Sequence, residues 1–155
     1  IRAAGAKVRF IMDGDVAGAI AAARDVSSID IAMGIGGTPE GVVTACALKC
    51  LGGDIQGMLA PQSEEEREKV LAAGHDLDHV LTIDELVTSD NCYFAATGVT
   101  NGDMLRGVSY RKNGATTRSL VMRSKSGTVR YVESLHKLAK LQQYSVVDYS
   151  DPTHE

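Results

Sequence analysis

Over the first hundred residues, short apolar runs alternate with small or polar punctuation, and two periods take turns. KVRFIM at 7–12 reads as a buried strand that runs into the loop Asp13-Gly14-Asp15. VAGAIAAAR at 16–24 then predicts a small, Ala-rich helix able to pack closely on a sheet. A second strand is expected at 29–35 (IDIAMGI), entering the glycine loop GIGGTPEG. The next helix, 39–50, has Pro39 at its first position, which helices favour because the missing N–H is not needed there. Gly52-Gly53 stops it, and 54–60 (DIQGMLA) predict a third strand. A charged helix follows over about 62–73, with acidic residues in its first turn and Gly74 at its end. Residues 79–82 and 84–88 read as a short strand and a turn of helix, and 92–99 (CYFAATGV) as a buried strand.

From Arg106 the pattern becomes antiparallel. Asn113-Gly114 is a hairpin turn signal between strands at 107–112 and 116–123, and 128–136 (TVRYVESLH) predicts one strand more. The fold class is therefore α/β, with a mostly parallel section followed by antiparallel hairpins. Residues 1–155 are read as one domain, with a loosely held tail at 145–155.

The bulk numbers narrow the partners. A chain of 155 residues buries roughly 70% of the surface its unfolded form exposes, enough for a core. No apolar run approaches the roughly 20 residues of a membrane helix, and the net charge of −4 gives no footprint for nucleic acid. No secretory signal pattern opens the chain, so a cytoplasmic location is expected. The three cysteines agree: Cys46 and Cys50 share one face of a helix, Cys92 opens a strand, and all are expected to be buried thiols acting as small hydrophobes. IRAAGAKVRF has no initiator Met and reads as the last turn of a helix, which suggests the C-terminal piece of something longer.

Ligands of open α/β sheets collect beyond the carboxyl ends of the strands, where both acidic loops leave their strands. Asp13 and Asp15 could simply cap a helix. Two Asp flanking a Gly exceed that need, however, and paired carboxylates suit vicinal sugar hydroxyls. Glu40 could likewise complement a helix dipole at the second helical position. Yet a glycine loop feeding a helix start favours phosphate, which a bare carboxylate repels. A divalent cation between the two removes the conflict. His75, His79, His136 and His154 read as surface imidazoles, and Arg118, Arg123, Lys125 and Arg130 as a solvated face. Asp103 and Arg106 lie in a polar loop that either lines a site or forms a surface turn.

Four motifs, DGDVAGAI, MGIGGTPEGVVTACALKCLGG, ATGVTNGDMLRGVSYR and SLVMRSKSGTVR, resemble the C-terminal half of class II fructose-1,6-bisphosphatases, particularly the bacterial, actinobacterial type. The resemblance covers nearly the whole chain, with the motifs in family order. It implies the layered helix-and-sheet fold of the metal-dependent sugar and inositol phosphatases. It also implies hydrolysis of the 1-phosphate of fructose 1,6-bisphosphate to fructose 6-phosphate in gluconeogenesis. Matched residue by residue, Glu40 falls on a ligand of Mg2+ or Mn2+, and Gly37 on a substrate-contacting backbone position. Asp13, Gly14 and Asp15 fall on the loop that holds the fructose. The family's first half, with its other acidic metal ligands, has no counterpart here. The resemblance therefore implies a piece that is inactive in isolation, lacks its N-terminal half as a partner, and self-associates through uncovered apolar surface. A non-catalytic sugar-phosphate-binding module, or an interaction fragment whose acidic loops only cap helices, are the rival readings.

Overall fold

The computed structural model describes residues 1–145. Helix α1 (Asp15–Ala22) starts from Gly14, whose φ of 85° is open to glycine at little cost. Helix α2 (Thr38–Leu51) has Pro39 at its second position, one later than expected, and ends at Gly52, left-handed at φ 73°. Strand β1 (Gln56–Gly57) is followed by α3 (Glu64–Ala72). The Ser63 hydroxyl caps α3 by accepting from Glu66 N–H at 3.2 Å. Strand β2 (Leu81–Thr82) leads directly into the short helix α4 (Ile83–Leu86). There the Glu85 carboxylate accepts from both the Thr82 N–H and hydroxyl at 2.8 Å. Strands β3 (Tyr93–Thr97), β4 (Ser109–Arg111), β5 (Gly114–Arg123) and β6 (Thr128–Lys137) precede a last helical turn, α5 (Leu138–Leu141).

Strand β5 is the centre of the main sheet. It pairs antiparallel with β6 along its whole length, with β3 through 119–123 and with β4 through 114–116. Leu120 and Met122, two apart, point to one face, opposite Ala96 and Phe94 of β3. Helices α1 and α2 lie on that face and contribute Ile20, Ala47 and Cys50 to the same buried cluster. The Ala-rich α1, expected to pack closely on a sheet, packs mainly against α2 and reaches the sheet through Ile20.

The mixed α/β class, the helices at 16–24, 39–50 and 62–73, and the hairpin strands all form, with ends shifted by no more than two residues. The parallel section does not: every strand pair among the described residues is antiparallel. Segments 7–12 and 29–35 are assigned to no strand, and 54–60 contributes only its two-residue β1, paired with β2. Phe10 and Ile35 are 79% and 74% exposed, and Met12, Ile31 and Met33 are exposed with them. An apolar run records a preference for burial, but it becomes a strand only when a neighbour bonds its edge. From residue 146 onward, the tail expected to be loosely held lies outside the described residues, as does His154.

Candidate functional site

The two acidic loops meet even though the segments feeding them are unpaired. Asp13 lies just before α1, where its Oδ1 accepts from Gly14 N–H at 2.7 Å. Asp15 is the first residue of α1, and its carboxylate lies against Gly36. A Cβ built on that glycine would stand 2.8 Å from Asp15 Oδ2. At the start of α2 the Glu40 carboxylate folds back over Gly37, where a Cβ would overlap Oε2 and sit 3.2 Å from Cδ. Asp15 and Glu40 thus flank two consecutive glycines. All five expected site residues, Asp13, Gly14, Asp15, Gly37 and Glu40, are exposed on this edge.

The helix-capping explanation of these carboxylates is incomplete. A glycine occupies the N-cap position of both helices, Gly14 for α1 and Gly37 for α2, and neither helix has a side-chain cap. Among the described residues, no ion pair forms at Asp13, Asp15 or Glu40. The first turn of α2 adds amides with no preceding carbonyl to bond, those of Thr38 and Glu40, while Pro39 has none to offer. The edge therefore combines hard oxygen donors with the positive end of a helix dipole, a pairing suited to a cation and an anion held together.

A family model for bacterial, glpX-encoded fructose-1,6-bisphosphatase matches residues 1–136. The chain belongs to that family. It is 43% identical over 150 residues to the fructose-1,6-bisphosphatase class 2 of Haemophilus influenzae, covering 88% of this chain and 45% of that protein. It is 42% identical over 149 residues to a Synechococcus protein named D-fructose 1,6-bisphosphatase class 2/sedoheptulose 1,7-bisphosphatase, covering 88% and 43%. The chain thus spans less than half the length of these curated relatives.

Other expected candidates of this glpX-family chain are drawn elsewhere. Asp103 is exposed and paired with Arg9, which ties the loop after β3 to the segment before Asp13. That loop closes on itself through Gly107 N–H to Asn101 Oδ1 at 3.0 Å. His79 is exposed and bonded to Glu85 at 2.7 Å, whereas His136 is half-buried with Thr117 at 2.9 Å. Arg118 pairs with Glu133 at 2.8 Å, and Arg123 donates to Asn91 and lies over the Tyr93 ring. Two of the four basic residues thus tie the sheet together.

Sequence reasoning overlooked Gly36, whose missing side chain admits Asp15, and Lys49. The Lys49 ammonium, with its side chain only 10% exposed, donates to Val87 O at 2.6 Å and pairs with Asp84 at 2.8 Å. The hydrogen bond to Asp84 is the main cause of its raised pKa. A lysine among the apolar positions of LKCL was the available signal for it. No helix among the described residues is long and apolar enough to cross a membrane.

Proposed function

We propose that this chain is part of a longer class 2 fructose-1,6-bisphosphatase and holds the sugar and one metal ligand for hydrolysis of the 1-phosphate of fructose 1,6-bisphosphate. The observation that carries this reading is the pair of carboxylates, Asp15 and Glu40, flanking Gly36-Gly37 without a basic partner among the described residues. Glu40 serves as a ligand of Mg2+ or Mn2+, since an exposed, unpaired carboxylate is the donor such hard cations take. When bound, the cation polarises the phosphoryl group and lowers the pKa of the attacking water. Gly37 offers its backbone to the substrate, and Asp13, Gly14 and Asp15 take the fructose hydroxyls.

The described residues contain no group of three or more His, Cys, Asp or Glu side chains that could hold a metal ion. Glu40 therefore acts with ligands from the substrate, from water and from the rest of the longer chain. In this reading residues 1–155 are one unit of a cytoplasmic homo-oligomer, inactive when isolated. The Synechococcus relative's name makes sedoheptulose 1,7-bisphosphate the neighbouring substrate to test.

The test is Mn2+-dependent phosphate release by the full-length protein. Asp15→Asn should raise KM for fructose 1,6-bisphosphate by ~10-fold, the scale of one charge-assisted hydrogen bond. Substrate binding that ignores the metal would favour a non-catalytic module, and an unchanged KM would remove Asp15 from the sugar site.

A further inference from the structure

Three thiols, Cys46 and Cys50 from one face of α2 and Cys92 from the residue before β3, meet where α2 crosses the start of that strand. All are free. Cys46 Sγ donates to Tyr93 O at 3.3 Å, while Cys92 Sγ donates to Cys46 O at 3.7 Å. Cys92 Sγ thus lies on the backbone of Cys46, and Cys46 Sγ on the backbone of the residue after Cys92. Cys50 Sγ reaches Cys92 O at 3.8 Å from a buried position, whereas Cys46 and Cys92 are both half-buried. The sulfur of Cys92 lies within hydrogen-bonding reach of both other thiols.

We propose that Cys92 and Cys46 are an oxidant-sensitive pair that hydrogen peroxide converts to a disulfide, stapling α2 to the entry of β3. The two residues differ in the way such a pair requires. Burial raises the Cys92 pKa, but hydrogen bonds from Ser124 and from the other two thiols, with the charge of Lys49, outweigh it and leave it lowered. Burial is the main cause that pushes Cys46 up to about 11 and Cys50 up to about 12. Cys92 is therefore the nucleophile, a half-buried thiol whose sulfur accepts hydrogen bonds, as reactive thiols do.

In the first step the Cys92 thiolate attacks one peroxide oxygen. The O–O bond breaks, hydroxide leaves, and Cys92 becomes a sulfenic acid, oxidised by two electrons. In the second step the Cys46 sulfur attacks the Cys92 sulfur. The S–O bond breaks and the hydroxyl leaves as water with the Cys46 proton. Overall, two thiols and one peroxide give one disulfide and two waters. Cys46 resolves rather than Cys50 because Cys92 Sγ already lies on the Cys46 backbone carbonyl, and because water can leave from a half-buried site more readily than from the buried Cys50.

The experiment treats the reduced full-length protein with hydrogen peroxide, blocks remaining thiols with iodoacetamide, and maps tryptic peptides without reductant. Cleavage after Lys49 separates the thiols: Cys46 falls in 25–49, Cys50 in 50–67 and Cys92 in 70–106. The expected product is 25–49 joined to 70–106, two hydrogens lighter than the separate peptides and released by dithiothreitol. Cys92→Ser should abolish it and leave Cys46 reduced, and Cys50→Ser should leave it intact. Without peroxide, iodoacetamide should modify Cys92 ~10-fold faster than Cys46 or Cys50. A 50–67 to 70–106 link, Cys92 sulfinic acid with no link, or equal alkylation rates would each overturn the proposal.

Discussion

Gly37→Ala isolates the placement of Glu40 from its chemistry. Gly37 sits at φ −69°, ψ 154°, a conformation any residue adopts, so alanine introduces no backbone strain. Its methyl would nonetheless overlap Glu40 Oε2 and stand 3.2 Å from Cδ. The carboxylate is the end of a flexible, exposed side chain and yields by about an ångström, against metal–oxygen bonds of about 2.0–2.6 Å. Such a shift removes it from a coordination shell, and a disturbed support of this kind weakens metal affinity by about 10- to 100-fold. Stability should barely change. Losing a favourable N-cap glycine costs a few tenths of a kcal/mol or somewhat more, and restricting the unfolded chain returns about 0.4–1 kcal/mol. The assay pairs a Mn2+ titration of phosphate release from fructose 1,6-bisphosphate with thermal unfolding of the full-length protein. Gly34→Ala serves as control, because a Cβ there meets nothing within 4 Å. Unchanged half-saturation by Mn2+ in the Gly37→Ala protein, with its Tm also unchanged, would refute the placement of the metal at Glu40.

Two further predictions concern stability. The Thr82 backbone N–H, then the His79 ring and the Thr82 hydroxyl, hold the Glu85 carboxyl down to about 2, below its ordinary 4.5. The stabilisation it gives is fully present above the unfolded-state value and is lost as pH falls through the folded one. Unfolding followed between about pH 5 and pH 2 should therefore show a decline that Glu85→Gln reduces, and identical pH slopes would contradict it. Gly107→Ala places a methyl 2.6 Å from Thr100 C and 2.7 Å from Val99 O, backbone atoms that cannot swing aside. It should destabilise by about 1–3 kcal/mol in denaturant unfolding, and a change under a few tenths would show that the loop relaxes freely.

What the chain revealed in advance follows from how local each signal is. Helices α1, α2 and α3 are set by neighbours in sequence, namely the glycines at their ends, Pro39 and the Ser63 cap, and they are legible there. The hairpin signal at Asn113-Gly114 is equally local, although the turn forms one residue earlier, at Lys112-Asn113, with Gly114 paired to Arg111. Strand pairing is not. KVRFIM and IDIAMGI carry the composition of buried strands, but composition does not name the neighbour that would bond their edges. The site divides in the same way. Its residue types and the break in helix logic at Glu40 are visible in GIGGTPEG. The contact of Asp15 with Gly36 joins loops twenty residues apart and required the structure. Lys49 was hidden for a related reason: its partners, Val87 and Asp84, are more than thirty residues away.

The most direct test of the central claim is the Mn2+ affinity of Glu40→Gln in the full-length protein, measured by titrating the metal during fructose 1,6-bisphosphate hydrolysis. The substitution keeps the size of the side chain and removes its charge, at a cost to α2 of about 0.3–1 kcal/mol from the lost dipole interaction. The expected result is a folded protein whose Mn2+ requirement rises at least ~10-fold and whose phosphate release falls with it. A folded variant with the wild-type Mn2+ dependence would contradict the account and leave Glu40 as no more than a charge at a helix start.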